Sequence, residues 1–160
     1  MAMLSRQEAA AQLVDGAIGA WFEQRFACAI TLAGAAETGM PKIEGGASMF
    51  EAMRLAVMNF GKLSEREAAD LMNKSRNWLK HFGEDKPAHI SDDFAWVYVL
   101  RAYWQYRLVY QGVELTPNMK RFQAEIDEQV RPVREGMEAF VTWLRGMAEA
   151  VARMLPPPSK

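Results

Sequence analysis

One short stretch of the chain combines residue types that could carry acid–base chemistry on an anion. The segment RNWLKH contains Arg76, Asn77 and His81, and Lys74 and Lys80 lie beside or within it. An imidazole exchanges protons near neutral pH, and a guanidinium donates paired hydrogen bonds to a phosphate. No acidic residue interrupts this neighbourhood, so it forms a local basic patch in a chain whose net charge is −1.

These residues fall on one predicted helix, from about residue 65 to 82. Ser64 followed by Glu67 is a capping box, in which each side chain satisfies a backbone N–H at the helix start, and Gly83 suits a left-handed C-terminal cap. At 100° per residue the helix has two faces. The apolar face contains Ala68, Leu71, Met72, Ser75, Trp78, Leu79 and Phe82, and the polar face contains Arg66, Asp70, Asn73, Lys74, Asn77, Lys80 and His81.

Arg76 lies at the border between the two faces. Asn77 and His81 are four residues apart, which makes their side chains neighbours. Arg76 and His81 are five apart, roughly 140° around a straight helix. We therefore expect them to converge only if the helix loosens near its end, or if a second chain completes the site.

The segment RNWLKH resembles the signature of the HEPN superfamily, small all-helical domains that are often dimeric. In that signature an arginine, usually followed by Asn, Asp or His, precedes a histidine with four to six residues between them. Arg76, Asn77 and His81 match it with four between. In active members this trio serves metal-independent cleavage of RNA, and the dimer brings two motifs to one cleft. The resemblance therefore implies that these three residues are catalytic.

General chemistry agrees with the implied roles. Attack by a ribose 2′-hydroxyl needs a proton acceptor, which His81 would supply, and a fixed cation against the phosphate, which Arg76 would supply. Lys74 and Lys80 would bind RNA by attracting its backbone. Endoribonuclease is one functional hypothesis. The alternative is a non-catalytic dimeric module that binds a protein partner.

A second resemblance is wider. The segment TLAGAAE, followed later by NWLKH and an acid-rich loop, is similar to segments of a group of small all-helical bacterial proteins with no assigned activity. That resemblance implies a helical fold and nothing about a reaction.

Two further interpretations of the same residues remain open. A polar helix face is often only a solvated face, and a histidine near a helix C-terminus is favourable through the helix dipole alone. A metal site could draw on His81, Glu84, Asp85, His89, Asp92 and Asp93. These residues lack the two-turn histidine pair of a zinc motif, so we predict neither a metal nor a cofactor.

Capping boxes and stop signals predict helices along the rest of the chain, with a break near residues 23–26. The segment AITLAGAAE contains Gly34 and several alanines, and these small residues would let another helix approach closely. The predicted helices run from Ser5 to about Phe22, over AITLAGAAE as far as Gly39–Met40–Pro41, from Ser48 to Gly61, from about 92 to 112, and from Thr116–Pro117 onward. The sequence thus predicts an all-α bundle of about six or seven helices.

Two of these helices are unusually apolar. The helix over 92–112 is rich in aromatic residues and apolar nearly all round, which is typical of a buried centre or a subunit interface. From Met119 to Met154 apolar residues recur every three or four positions through Pro132. This pattern predicts a long helix kinked there, or two helices nearly in line. Together these surfaces predict a homodimer.

Composition sets the remaining expectations. Half of the 160 residues are hydrophobic and 24% are charged, as in an ordinary globular protein, and we expect one helical domain over 1–155 with a disordered tail at 156–160. Cys28 is the single cysteine and is expected to be a small buried residue. A chain without disulfides suits the cytoplasm, and its longest apolar run is too short to span a membrane.

Overall fold

The computed structural model describes residues 3–42, 48–81, 90 and 92–134. Within them every regular element is a helix, and no strand occurs among the described residues. The helices are α1 (Arg6–Phe22), α2 (Phe26–Gly39), α3 (Met49–Gly61), α4 (Glu65–His81), α5 (Asp92–Val109) and α6 (Pro117–Arg134). The predicted all-α bundle of about six or seven helices is confirmed within these bounds.

Serine–glutamate pairs begin three of the helices, as the sequence predicts. At the start of α4, the backbone N–H of Ser64 donates to the Glu67 carboxylate at 2.8 Å, and the backbone N–H of Glu67 donates to the Ser64 hydroxyl oxygen at 3.3 Å. The hydrogen bonds from the Ser64 side chain and backbone lower the pKa of Glu67. Equivalent boxes form at Ser5 and Ser48.

Two helices end on non-glycine residues with a left-handed backbone conformation. Gln24 follows α1 with a φ of 59°, and Lys62 follows α3 with a φ of 51°. The backbone N–H of Arg25, the residue after Gln24, donates to the carbonyl of Ala20 at 2.8 Å. This is the 6→1 hydrogen bond of a Schellman motif at the C-terminus of α1. The left-handed residue after α3 is therefore a lysine, and the neighbouring Gly61 is still helical.

The predicted limits of two other helices are wrong by about one turn. α2 begins at Phe26, earlier than AITLAGAAE suggests, and α5 ends at Val109 instead of near residue 112. α6 begins at Pro117 and continues through Pro132 as far as Arg134. The prediction of a long helix kinked at Pro132, or of two helices nearly in line, extends past Arg134 and stays a prediction there. The rest of the apolar seam, the loop 83–89 with Gly83 and His89, and the tail 156–160 lie outside the described residues.

The core is formed mainly by α1, α2, α5 and α6. α5 is its centre, as its aromatic composition predicts, because nine of its eighteen residues are buried. α6 contributes an apolar stripe at three- and four-residue spacing, consisting of Met119, Phe122 and Ile126. α1 packs against α2, α5 and α6, and α2 also packs against α4 and α5.

Cys28 corrects one expectation, because it is exposed and not buried. α2 is apolar nearly all round, so its sequence does not reveal which face is inward. The structure buries Ala29, Ile30 and Ala33, and residues 27, 28 and 31 face solvent.

An ion pair between α2 and α5 lies where the α3–α4 hairpin docks. Arg101 Nε and Nη2 donate to the two carboxylate oxygens of Glu37 at 2.9 and 2.6 Å, and the two side chains are only 2% and 7% exposed. The rings of Phe50 and Tyr98 lie 4.7 and 5.0 Å from the guanidinium carbon. Arg101 Nη1 also donates to the carbonyl of Met72 at 3.5 Å. One buried cation thus joins α2, α3, α4 and α5.

Removing one partner of this pair should destabilise the fold strongly. Glu37→Ala leaves the guanidinium of Arg101 buried without its counter-charge, and we expect a loss of about 3–5 kcal/mol in the free energy of unfolding. Urea denaturation measures this loss. The double variant Glu37→Leu/Arg101→Met should lose less, because no unpaired charge remains buried.

The matched control is the exposed pair on α4, in which Arg66 Nε lies 3.8 Å from Asp70. Asp70→Ala should change the free energy of unfolding by about 0.5 kcal/mol or less, since solvent screens such a pair. Similar losses for Glu37→Ala and Asp70→Ala would contradict a structural role for the buried pair.

Candidate functional site

The RNWLKH residues occupy the C-terminal half of α4. The predicted division of the helix into two faces is confirmed for most of its residues, although Asn73, Trp78 and Leu79 are all half-buried and Phe82 lies outside the described residues. Ala68, Leu71, Met72 and Ser75 are buried. On the other face Lys74, Asn77, Lys80 and His81 are exposed. Arg76 is half-buried, as expected for a residue at the border.

The side chain of Arg76 lies against α2. Its Nη2 donates to the hydroxyl oxygen of Thr38 at 2.6 Å, and that hydroxyl donates in turn to the carbonyl of Gly34 at 2.9 Å. A Cβ placed on Gly34 would lie 2.7 Å from Arg76 Nε, closer than real Cβ contacts allow. The absence of a side chain at Gly34 therefore makes room for the side chain of Arg76 from α4.

The backbone of Arg76 is also held in place. Its N–H lies 3.4 Å from the hydroxyl oxygen of Tyr98 on α5, and that hydroxyl donates to the carbonyl of Met72 at 2.5 Å. Burial raises the pKa of Tyr98, so the phenol keeps the proton that it donates. Because Met72 also accepts from Arg101, the buried ion pair and Arg76 belong to one connected network.

A single chain does not bring Arg76 and His81 together. α4 stays α-helical as far as His81, so the loosening that would let the two side chains converge does not occur within the described helix. The guanidinium of Arg76 points to α2, and the imidazole of His81 is exposed on the polar face with Asn77. The three residues of the motif thus divide into an exposed pair and an arginine bound within the fold.

Charge is segregated along α4. Its acidic residues, Glu65, Glu67 and Asp70, occupy the first half, and its second half carries only basic charge. Neither Lys74 nor Lys80 forms an ion pair with a residue that the structure describes. Acidic residues near the start of a helix and basic residues near its end are both favoured by the helix dipole. The dipole does not explain why the lysines of the second half have no acidic partner among the described residues. The arrangement leaves exposed cations beside an imidazole.

The proposed metal ligands are only partly described. His81, Asp92 and Asp93 fall within the described ranges, and the other three candidates do not. Among the residues whose positions are given, no group of three or more histidine, cysteine or acidic side chains could hold a metal ion.

A groove between α3 and α4 lies at the other end of α4. Its volume is about 540 Å³, and its lining includes Ser48, Phe50, Glu51, Arg54, Glu65, Arg66 and Ala69. Arg54 and Glu65 form an ion pair across it, so its charges are largely balanced. His81 lies sixteen residues from Glu65, about 24 Å along a helix, so this groove is not part of the candidate site.

Sequence reasoning missed Thr38. The hydroxyl that receives Arg76 lies just outside AITLAGAAE, and it is 38 residues away from Arg76 along the chain. A threonine one turn after a helical glycine carries no local signal for such a contact.

Comparison of the chain with protein family models, with curated proteins and with solved structures finds no match in any of the three. No helix in the described part of the chain is both long enough and apolar enough to cross a bilayer.

The contact between Gly34 and Arg76 makes a stability prediction. In the unaltered chain, Gly34→Ala should destabilise the fold by about 1 kcal/mol, because the new methyl group displaces Arg76 from Thr38. In an Arg76→Ala background the same change should stabilise it by up to about 1 kcal/mol, since alanine is the better helix former. Thermal or urea unfolding of the four chains measures the difference between the two backgrounds.

Gly39 provides the control on the same helix. A Cβ placed there meets nothing within 4 Å, so Gly39→Ala should have the same effect whether residue 76 is arginine or alanine. If Gly34→Ala also behaves alike in both backgrounds, Arg76 is not packed on α2 as described.

Proposed function

We propose that this protein is a HEPN-like endoribonuclease that cleaves RNA without a metal ion, as a homodimer in the cytoplasm. The observation that carries the proposal is the exposed surface of α4 that combines His81 and Asn77 with the cations of Lys74 and Lys80. The resemblance of RNWLKH to the HEPN signature supplies the reaction. The exposed side chains of α4 supply an imidazole for proton transfer and cations for a phosphate.

Each of these side chains has a role in the reaction that the resemblance implies. His81 takes the proton of a ribose 2′-hydroxyl as its oxygen bonds to the adjacent phosphorus. The bond from phosphorus to the 5′-oxygen breaks, and that oxygen takes up a proton, which leaves a 2′,3′-cyclic phosphate and a 5′-hydroxyl. Arg76 stabilises the charge that develops on the phosphate oxygens. Lys74 and Lys80 attract the flanking phosphates.

The proposed chemistry needs a second copy of the chain. Arg76 and His81 diverge within one chain, because the helix is regular to its end. In a symmetric dimer Arg76 of one copy can face His81 of the other, and the two-fold axis then generates two equivalent sites. The Thr38 contact takes one of the five guanidinium N–H donors, and Nε is packed over Gly34, so Nη1 is the donor that would bind a phosphate.

One observation favours a second candidate function, a non-catalytic dimeric module that binds a protein partner. Arg76 has a packing role of its own, since it fills the space over Gly34 and bonds to Thr38. A residue that holds two helices together needs no substrate to explain it. In this alternative the exposed side chains of α4 contact a partner protein and transfer no proton.

The first test is cleavage in the presence of a chelator. The purified protein should cut single-stranded RNA in EDTA and leave cyclic or 3′-phosphate ends, and DNA of the same sequence should stay intact because it lacks the 2′-hydroxyl. His81→Ala should abolish cleavage, and Arg76→Ala should reduce it by about 10²–10³-fold, as loss of a transition-state donor does. Gel analysis of end-labelled RNA measures both.

Arg66→Ala is the matched control, because Arg66 is an exposed cation on the polar face of the same helix but outside the motif. It should cleave at the unaltered rate. Lys80→Ala should weaken RNA binding mainly at low salt, where a phosphate contact is least screened. Cleavage that survives in His81→Ala, or no cleavage by the unaltered chain, would favour the non-catalytic module.

The shared site makes a separate prediction about assembly. Sedimentation at micromolar concentration should give twice the mass of one chain. Mixing inactive Arg76→Ala with inactive His81→Ala should restore activity to about a quarter of the unaltered level, because half of randomly paired dimers are mixed and each has one complete site. A monomer, or a mixture that stays inactive despite subunit exchange, would exclude a site shared between copies.

A further inference from the structure

We propose that Thr38 is a positioning residue, which aims the guanidinium of Arg76 at the scissile phosphate. This inference rests on the proposed function, since it concerns the arginine of the same site. It adds a residue of α2, outside the RNWLKH segment, to the machinery of cleavage.

The hydroxyl of Thr38 is oriented before Arg76 reaches it. A threonine hydroxyl has one proton and two acceptor lone pairs. The proton is donated to the carbonyl of Gly34 at 2.9 Å, one turn earlier in α2, and this fixes where the lone pairs point. Nη2 of Arg76 donates to that oxygen at 2.6 Å. The hydroxyl therefore acts as a fixed acceptor that α2 presents to α4.

Two other contacts, with Tyr98 and with Gly34, also restrict Arg76. Its backbone N–H is near the hydroxyl of Tyr98 at 3.4 Å, and its Nε and Cδ lie over Gly34, within 2.7 and 2.9 Å of where a Cβ would stand. A long side chain is thus fixed at its base, along its length and at one terminal nitrogen. Nη1 donates to no described residue, so Nη1 is the donor that would reach the phosphate.

Orientation of this kind matters more for the chemical step than for binding. A guanidinium that stabilises charge only in the transition state must be in place before the reaction, and a misplacement of about 1 Å can cost about 10²-fold in rate. RNA binding depends chiefly on attraction between cations and the backbone, and losing a neutral hydroxyl leaves that attraction intact.

The chain contains a matched control for Thr38. Thr31 lies on the same helix, and its hydroxyl donates to the carbonyl four residues earlier, Ala27, at 2.8 Å. It has no arginine partner among the described residues. Valine in place of either threonine keeps the branched shape and removes the same type of intrahelical hydrogen bond, so only Thr38→Val also removes an acceptor from Arg76.

The experiment compares Thr38→Val, Thr38→Ser and Thr31→Val as full-length chains acting on single-stranded RNA in EDTA. Thr38→Val should lower kcat by about 10- to 100-fold and leave KM nearly unchanged. Thr38→Ser, which restores the hydroxyl, should recover most of the rate, and Thr31→Val should match the unaltered chain. Thermal unfolding should give Thr38→Val a lower midpoint than Thr31→Val, because only Thr38→Val also loses the hydrogen bond to Arg76. Both chains should remain fully folded at the assay temperature, which circular dichroism checks.

Each other outcome counts against the proposal in a distinct way. If the unaltered chain cleaves and Thr38→Val cleaves equally well, Thr38 does not position Arg76, while the proposed function stands. If Thr38→Ser is as slow as Thr38→Val, or if the rate of Thr38→Val falls only in proportion to the fraction of the chain that is unfolded in the assay, the hydroxyl has no positioning role. If the unaltered chain cleaves no RNA, the proposed function and this inference both fail.

Discussion

The packing of α3 and α4 depends on one buried cation. Arg101 stands on the most buried helix of the fold, and its charge must be compensated there, because an unpaired ion in a protein interior is very costly. Glu37 neutralises it from α2, Phe50 covers it from α3, and the carbonyl of Met72 accepts from it on α4. The hairpin therefore docks on a polar centre as well as on apolar surface, and its position is set by hydrogen-bond geometry. Hydrogen bonds are directional, so they define the position of the hairpin on α2 and α5 more narrowly than apolar contacts alone would.

The same network reaches the candidate site. Met72 accepts hydrogen bonds from both Arg101 and Tyr98, and Tyr98 lies beside the backbone N–H of Arg76 one helical turn later. The orientation of Arg76 is thus linked to groups well inside the bundle, even though its guanidinium is only half-buried. A substitution in the core can consequently alter the site without contacting it. Loss of Glu37 is the clearest example, because it removes the charge that keeps Arg101 in place against Met72.

The sequence predicts the features of this fold that depend on neighbouring residues. Capping boxes such as Ser64 with Glu67 are local, and they locate three helix starts correctly. Features that depend on distant residues could not be predicted. Glu37 and Arg101 are 64 positions apart, and each alone looks like an ordinary surface charge. The sequence does not reveal that Cys28 is exposed, because α2 has small or apolar side chains on most of its surface. Tertiary contacts alone decide which side of α2 faces the core.

Whether Arg76 and His81 can act on one phosphate depends on how two chains assemble, because the two residues lie on different sides of α4. Residues five apart on a regular helix cannot share a face, so Arg76 packs on α2 while His81 faces solvent. Chemistry that needs both groups on one phosphate must therefore combine two chains. Chemistry within one chain would leave His81 with Asn77 and the lysines, a set that can bind an anion and exchange a proton but lacks a fixed guanidinium. The enzyme and the binding module thus differ in one physical respect, which is whether a second copy brings its imidazole to the Arg76 guanidinium that Thr38 and Gly34 hold on α2.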